Sequence, residues 1–124
     1  MTIKVLAIDD SRTIRSLVHK VMVDAGFTCA LADDGVQGVA KFKEDPPDVV
    51  ITDLNMPNMD GYGVISAIRD GRIHRNVPIL VLTTESAPHL KARAREAGAT
   101  GWIVKPFDDE AIISVVRRVT GAKG

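Results

Sequence analysis

The sequence predicts an α/β fold, with a parallel sheet covered by helices on both faces. Three observations lead there. Short runs that are apolar throughout, such as Val49-Val50-Ile51 and Ile79-Leu80-Val81-Leu82, lack the polar alternation of a half-exposed strand and read as strands buried on both faces. Between such runs lie longer stretches whose apolar residues recur at helical spacing, as Ile14, Leu17, Val18, Val21 and Met22 do. The two kinds of segment alternate along the whole chain, which implies βα units and right-handed crossovers.

The first strand is Ile3 to Ile8, closed by Asp9-Asp10. Ser11 can cap the first helix and Gly26 ends it; His19 falls off the apolar face and reads as solvated. Phe27 to Ala32 is the second strand, followed by a turn at Asp33-Asp34-Gly35. A second helix runs from about Val36 to Glu44, with Val39, Ala40 and Phe42 for packing, and Pro46-Pro47 stops it. Asp48 to Asp53 is the third strand, and a turn rich in Asn, Pro, Asp and Gly leads to a third helix carrying Val64, Ile65 and Ile68. Gly71 ends that helix, and a polar loop precedes the fourth strand, Pro78 to Leu82, which runs into Thr83-Thr84.

The fourth helix opens at Ser86 or Ala87 with Pro88 in its first turn, where proline is tolerated. Its apolar side is thin (Leu90, Ala94, Ala97) and its other side is basic (His89, Lys91, Arg93, Arg95). Trp102 to Val104 is the fifth strand, ending at Lys105-Pro106. Asp108 to Thr120 is the last helix, buried through Ile112, Val115, Val116 and Val119, and Gly121 to Gly124 read as a frayed tail. For five such units the flavodoxin-like strand order 2-1-3-4-5 is the natural choice, and it makes strands 1 and 3 neighbours at the switch point where ligands bind.

With 124 residues, the chain reads as one domain over 1–124 with a real core. Its 16 basic residues balance 16 acidic ones, so no overall field draws it to nucleic acid or an anionic membrane. The single cysteine, Cys29, excludes an internal disulfide and a cysteine metal cluster, and its apolar surroundings suggest packing. No run is long enough to span a membrane, and Ile3 to Ile8 leads into acids rather than a cleavage site, so a cytoplasmic location is expected; the chain is also expected to be a monomer.

The chemistry collects at the carboxyl ends of the strands. Strand 1 supplies Asp9 and Asp10, strand 3 Asp53, strand 4 Thr83 and strand 5 Lys105. Adjacent strands lie about 4.8 Å apart, so three carboxylates share a small volume, and their repulsion calls for a cation or for protons. An all-oxygen site with few carboxylates suits Mg²⁺, which keeps waters and shares a phosphate. A hydroxyl and an ammonium, Thr83 and Lys105, are then the groups that hold phosphoryl oxygens. Each part has an ordinary structural role taken alone, as helix cap, turn or solvated lysine; their joint placement favours a phosphate and metal site.

Asp9-Asp10, Asp53 within Asp53-Leu54-Asn55-Met56-Pro57-Asn58-Met59-Asp60-Gly61, Thr83 and Lys105-Pro106-Phe107 together resemble the receiver domain of bacterial two-component response regulators, over nearly the full length. The resemblance is greatest to stand-alone chemotaxis regulators of the CheY kind. It implies that Asp53 accepts a phosphoryl group from a histidine kinase. It implies Mg²⁺, with Mn²⁺ as a substitute, held by Asp10, Asp53 and the backbone carbonyl of Asn55, with Asp9 acting through water. Thr83 and Lys105 would contact the phosphoryl group, Lys105-Pro106 would be cis, and Trp102 would be the switch aromatic. The face that responds would be helix 4, strand 5 and helix 5, and the partners a kinase, a flagellar motor switch protein or a phosphatase. Asn55 and Glu85 stand where the family tunes dephosphorylation, which implies a short-lived phosphoryl state.

Two residues depart from the family's commonest pattern. Thr84 stands where Ala or Gly is usual and is expected to narrow access to the phosphoryl group. Trp102 is larger than the usual Tyr and offers only an N–H donor. Within the family, a motor messenger and a phosphate sink or phosphorelay intermediate are both compatible with the chain. A Mg²⁺-dependent phosphatase of the haloacid dehalogenase-like type shares an Asp, Thr and Lys, but needs a second acid two residues after the nucleophile, and Asn55 stands there. There is no Walker A pattern, Gly61-Tyr62-Gly63 lacks a third glycine, and a fused DNA-binding domain is not expected.

Overall fold

The computed structural model describes residues 2–121; the rest of the expected tail, residues 122–124, lies outside them. Five strands and five helices alternate: β1 (Lys4–Ile8), α1 (Arg12–Asp24), β2 (Thr28–Ala32), α2 (Gly35–Glu44), β3 (Val49–Thr52), α3 (Gly61–Arg69), β4 (Ile79–Thr83), α4 (Pro88–Ala97), β5 (Gly101–Val104) and α5 (Asp109–Thr120). All strand pairs are parallel and the order is β2-β1-β3-β4-β5, as the alternation predicts. No described helix is long and apolar enough to cross a membrane.

Alternate residues of the inner strands feed two cores. Leu6, Val50, Ile79 and Val81 meet Val39, Phe42, Val64, Ile65 and Ile68 on the α2–α3–α4 face. Val5, Val49, Ile51, Leu80 and Leu82 meet Val18, Val21, Met22, Ile112 and Val116 on the α1–α5 face. Every residue of β3 and β4 is buried, which is why neither shows polar alternation in the sequence. Two residues expected to pack do not: Leu17 of α1 is 42% exposed, and Ala40 of α2 is exposed. The buried stripes of α1 and α2 are narrower than the sequence pattern suggested, whereas Val64, Ile65 and Ile68 of α3 are all buried as expected.

Side-chain caps set the helix starts nearest the switch point. Ser11 Oγ accepts the Ile14 N–H at 3.3 Å, Asp34 Oδ1 the Gln37 N–H at 2.8 Å, and Asp60 Oδ1 the Gly63 N–H at 2.8 Å. Asp34 therefore begins α2 rather than only closing a turn. The β3–α3 loop is tied down on two sides. Gly61 donates its N–H to the Leu54 carbonyl at 2.9 Å, and a Cβ there would stand 2.3 Å from the Asp53 carbonyl oxygen. Across the loop, a Cβ on Gly35 would stand 2.3 Å from the Met59 carbonyl oxygen, while Asn58, at φ 68°, donates from Nδ2 to Asp34 Oδ2 at 2.8 Å.

Gly61→Ala forces backbone apart at the end of β3, so urea unfolding should show a loss of about 1–3 kcal/mol; unchanged stability would contradict the close approach. Cys29 sits half-buried on the edge strand β2, and burial pushes its thiol up to about 11. Its thiolate fraction at pH 8 is then about a hundredfold below that of a thiol titrating at the ordinary 9.0. Iodoacetamide should alkylate the native protein at least about tenfold more slowly than the protein in urea, and equal rates would show that the thiol is open.

Candidate phosphate and metal site

The register of the sheet brings the acids together. Ile8 pairs with Thr52, so Asp9 and Asp53 leave the sheet side by side, and the Asp53 N–H donates to the Ile8 carbonyl at 2.9 Å. Both are buried, at 4% and 9% exposure, whereas Asp10 is exposed. Carboxylate oxygens of Asp9, Asp10 and Asp53 lie within 4.8 Å of one another.

Lys105, from the end of β5, closes the cluster. Its Nζ donates to Asp9 Oδ2 at 2.8 Å and to Asp53 Oδ2 at 3.2 Å. The remaining oxygens are held by backbone: Asp9 Oδ1 accepts the Ser11 N–H at 2.9 Å, and Asp53 Oδ1 accepts the Leu54 N–H at 2.7 Å. Each of the two buried carboxylates therefore meets one ammonium and one amide. Burial alone raises Asp9 and lowers Lys105. The Lys105 contact and the Ser11 N–H only partly offset the rise in Asp9, whereas the hydrogen bonds and charges of Asp9 and Asp53 outweigh the burial of Lys105 and leave its ammonium above the ordinary range. The Lys105–Pro106 peptide is cis.

Three carboxylates against one ammonium leave the cluster at −2. The Asp10 carboxylate makes no hydrogen bond or ion pair among the described residues. An oxygen-only donor set with one uncommitted carboxylate and uncompensated charge fits a hard divalent cation such as Mg²⁺.

Thr83 and Trp102 lie on one side of the sheet and share a partner. Thr83 is 1% exposed and its Oγ1 accepts the Glu85 N–H at 3.3 Å; the Trp102 indole Nε1 donates to the Glu85 carbonyl at 3.0 Å. The backbone of Glu85 thus joins the two. Asn55 and Thr84 are exposed and Glu85 is partly exposed, all in the loops that follow β3 and β4.

Two supports of the site were not anticipated from sequence. The Asp9 side chain bonds two residues on to Ser11, an Asx turn that the Asp-Asp-Ser run could have suggested. Arg15, one helical turn into α1, donates from Nη1 to the Asp9 carbonyl at 2.8 Å, and nothing in the local sequence marks that contact.

Known proteins resemble this chain in sequence and fold. A family model described as the response regulator receiver domain matches residues 5–117. The chain is 34% identical to the chemotaxis protein CheY of Pseudomonas aeruginosa, covering 95% of this chain and 99% of that protein. It is also 34% identical to the sensor histidine kinase CheAY of Helicobacter pylori, covering 97% of this chain but only 15% of that longer protein. Among solved structures, the chemotaxis protein CheY4 of Vibrio cholerae matches with a TM-score of 0.91 and 42% identity, over 96% of this chain and 99% of that one. The strand order, the acids at the ends of β1 and β3 and the full-length matches agree: this chain belongs to the response regulator receiver domain family.

Proposed function

We propose that the chain is a phosphorylation switch of two-component signalling, in which Asp53 accepts a phosphoryl group from a phosphohistidine of a partner kinase. The observation that carries this reading is the convergence of Lys105, Asp9 and Asp10 on the Asp53 carboxylate. An Asp53 oxygen attacks phosphorus, the P–N bond breaks, and the imidazole nitrogen departs and takes up a proton; the product is an acyl phosphate. The Leu54 N–H fixes one Asp53 oxygen, so the other is the one presented for attack. Lys105 then exchanges a carboxylate partner for a phosphoryl oxygen.

Asp10, Asp53 and the backbone carbonyl of Asn55 would hold Mg²⁺, or Mn²⁺ in its place. Asp9, bonded to Ser11 and Lys105, would act through water. When bound, the metal supplies countercharge to the acceptor carboxylate and the transferring group.

Thr83 accepts from Glu85 but retains its own O–H donor. Turning that donor to a phosphoryl oxygen disturbs the backbone at Glu85, whose carbonyl holds Trp102. The change reaches the α4–β5–α5 face as a shift between two arrangements. The similarity to chemotaxis proteins named CheY supports a chemotaxis role, with a flagellar motor switch protein or a phosphatase among the partners. Asn55 and the Glu85 side chain would position an attacking water, which favours a short-lived phosphoryl state.

Intact-mass analysis with a small phosphodonor tests the reading. Wild type should gain one phosphoryl group only with Mg²⁺ and lose it well within hours, and Asp53→Asn should gain none. A gain in that variant would overturn the assignment of the acceptor, and a phosphoryl group stable for many hours would overturn the tuning roles of Asn55 and Glu85.

A further inference from the structure

The acceptor loop touches α4 by a route that bypasses Thr83. Tyr62 follows Gly61 in the first turn of α3, and Gly61 is seated against the Asp53 carbonyl and bonded to Leu54. Tyr62 is thereby fixed, one residue removed, to the end of the acceptor strand. Its side chain reaches to α4. The phenol O–H donates to the Leu90 carbonyl at 3.2 Å, and the Arg93 guanidinium carbon lies 3.8 Å from the centre of its ring.

α4 has little else to hold it. Ala94 is its only fully buried side chain, and its N-cap, Ala87, offers no side-chain hydrogen bond. At the other end, Arg69 of α3 grips the Gly98 carbonyl with Nε at 3.0 Å and Nη2 at 2.8 Å, and reaches the Arg75 carbonyl with Nη1 at 2.6 Å. The two ties differ in kind. Arg69 makes three charge-assisted hydrogen bonds to backbone. Tyr62 contributes one neutral hydrogen bond and one cation–π contact to an exposed arginine, a catch weak enough to open.

We propose that Tyr62 is a positioning residue that latches the N-terminal half of α4 to the acceptor loop, with the Arg69–Gly98 clamp as the hinge, and that opening this latch is part of switching. The latch stands on the α3–α4 geometry; its regulatory consequence rests on phosphorylation at Asp53. An arrangement with α4 displaced forfeits both Tyr62 contacts, so the latch weights the equilibrium toward the arrangement described here. Weakening it moves that equilibrium roughly three- to tenfold. By linkage, a ligand of Asp53 that favours the displaced arrangement binds more tightly by the same factor.

Tyr62→Phe keeps the ring and removes the hydroxyl, and Arg93→Ala removes an exposed side chain, so both variants should fold. Amide hydrogen exchange of the unphosphorylated proteins should be roughly three- to tenfold faster over residues 90–94 in each variant, with α5 unchanged. Beryllofluoride, an acyl phosphate mimic, titrated with Mg²⁺ should bind both variants tighter than wild type by a similar factor. Unchanged exchange in α4 overturns the latch. Faster exchange with unchanged beryllofluoride affinity overturns its regulatory role. A wild type that does not bind beryllofluoride overturns the phosphorylation reading and the regulatory role with it, while the exchange data still decide the latch.

Discussion

Two buried carboxylates stand at the ends of adjacent strands, and one lysine bridges them. Removing two charges from water costs more than a single ammonium returns, unless the geometry is good and the remaining oxygens are bonded. Here they are: Ser11 and Leu54 supply amides to the oxygens that Lys105 does not take. Even so, with Asp10 alongside, the site retains surplus negative charge. That surplus is what makes the site responsive. In the proposed switch, a divalent cation would relieve it, and a phosphoryl group added to Asp53 would redistribute it.

The surroundings make the response local. Asp53 leads into a loop that cannot drift, because Gly61 and Gly35 admit backbone where a side chain would collide, and Asn58 ties its tip to Asp34. The opposite holds for α4, which buries one alanine and depends on Tyr62 and Arg69 of α3. In the proposed switch, a rigid acceptor beside a lightly held helix would direct a charge change into movement of the helix rather than of the acceptor. Thr83, Glu85 and Trp102 offer one line between the two, and Tyr62 offers another.

Much of this was legible in the residues. The strand order follows from alternation, and once β1 and β3 are neighbours, the acids at their ends must meet without any knowledge of side-chain angles. The Ser11 cap was readable for the same reason, since it is local. What escaped depends on how helices lie on the sheet. Leu17 and Ala40 have apolar character but face outward, because the crossing angle of a helix, not its composition, sets which residues reach the core. Arg15 reaching the Asp9 carbonyl and Arg93 lying over Tyr62 join groups whose approach is fixed by tertiary packing, so spacing along the chain carries no trace of them.

Thermal unfolding with and without Mg²⁺ tests most directly whether surplus charge at the strand ends is relieved by a cation. At about 100 times its dissociation constant, a ligand of the native state adds about 2.7 kcal/mol, which for a domain of this size is a rise in midpoint of about 5 °C or more. Wild type should show that rise in Mg²⁺ and not in sodium chloride of equal ionic strength. Asp10→Asn should raise the metal-free midpoint, by easing repulsion, and lose most of the Mg²⁺ effect. A midpoint indifferent to Mg²⁺, or an Asp10→Asn variant that keeps the full rise, would contradict the account.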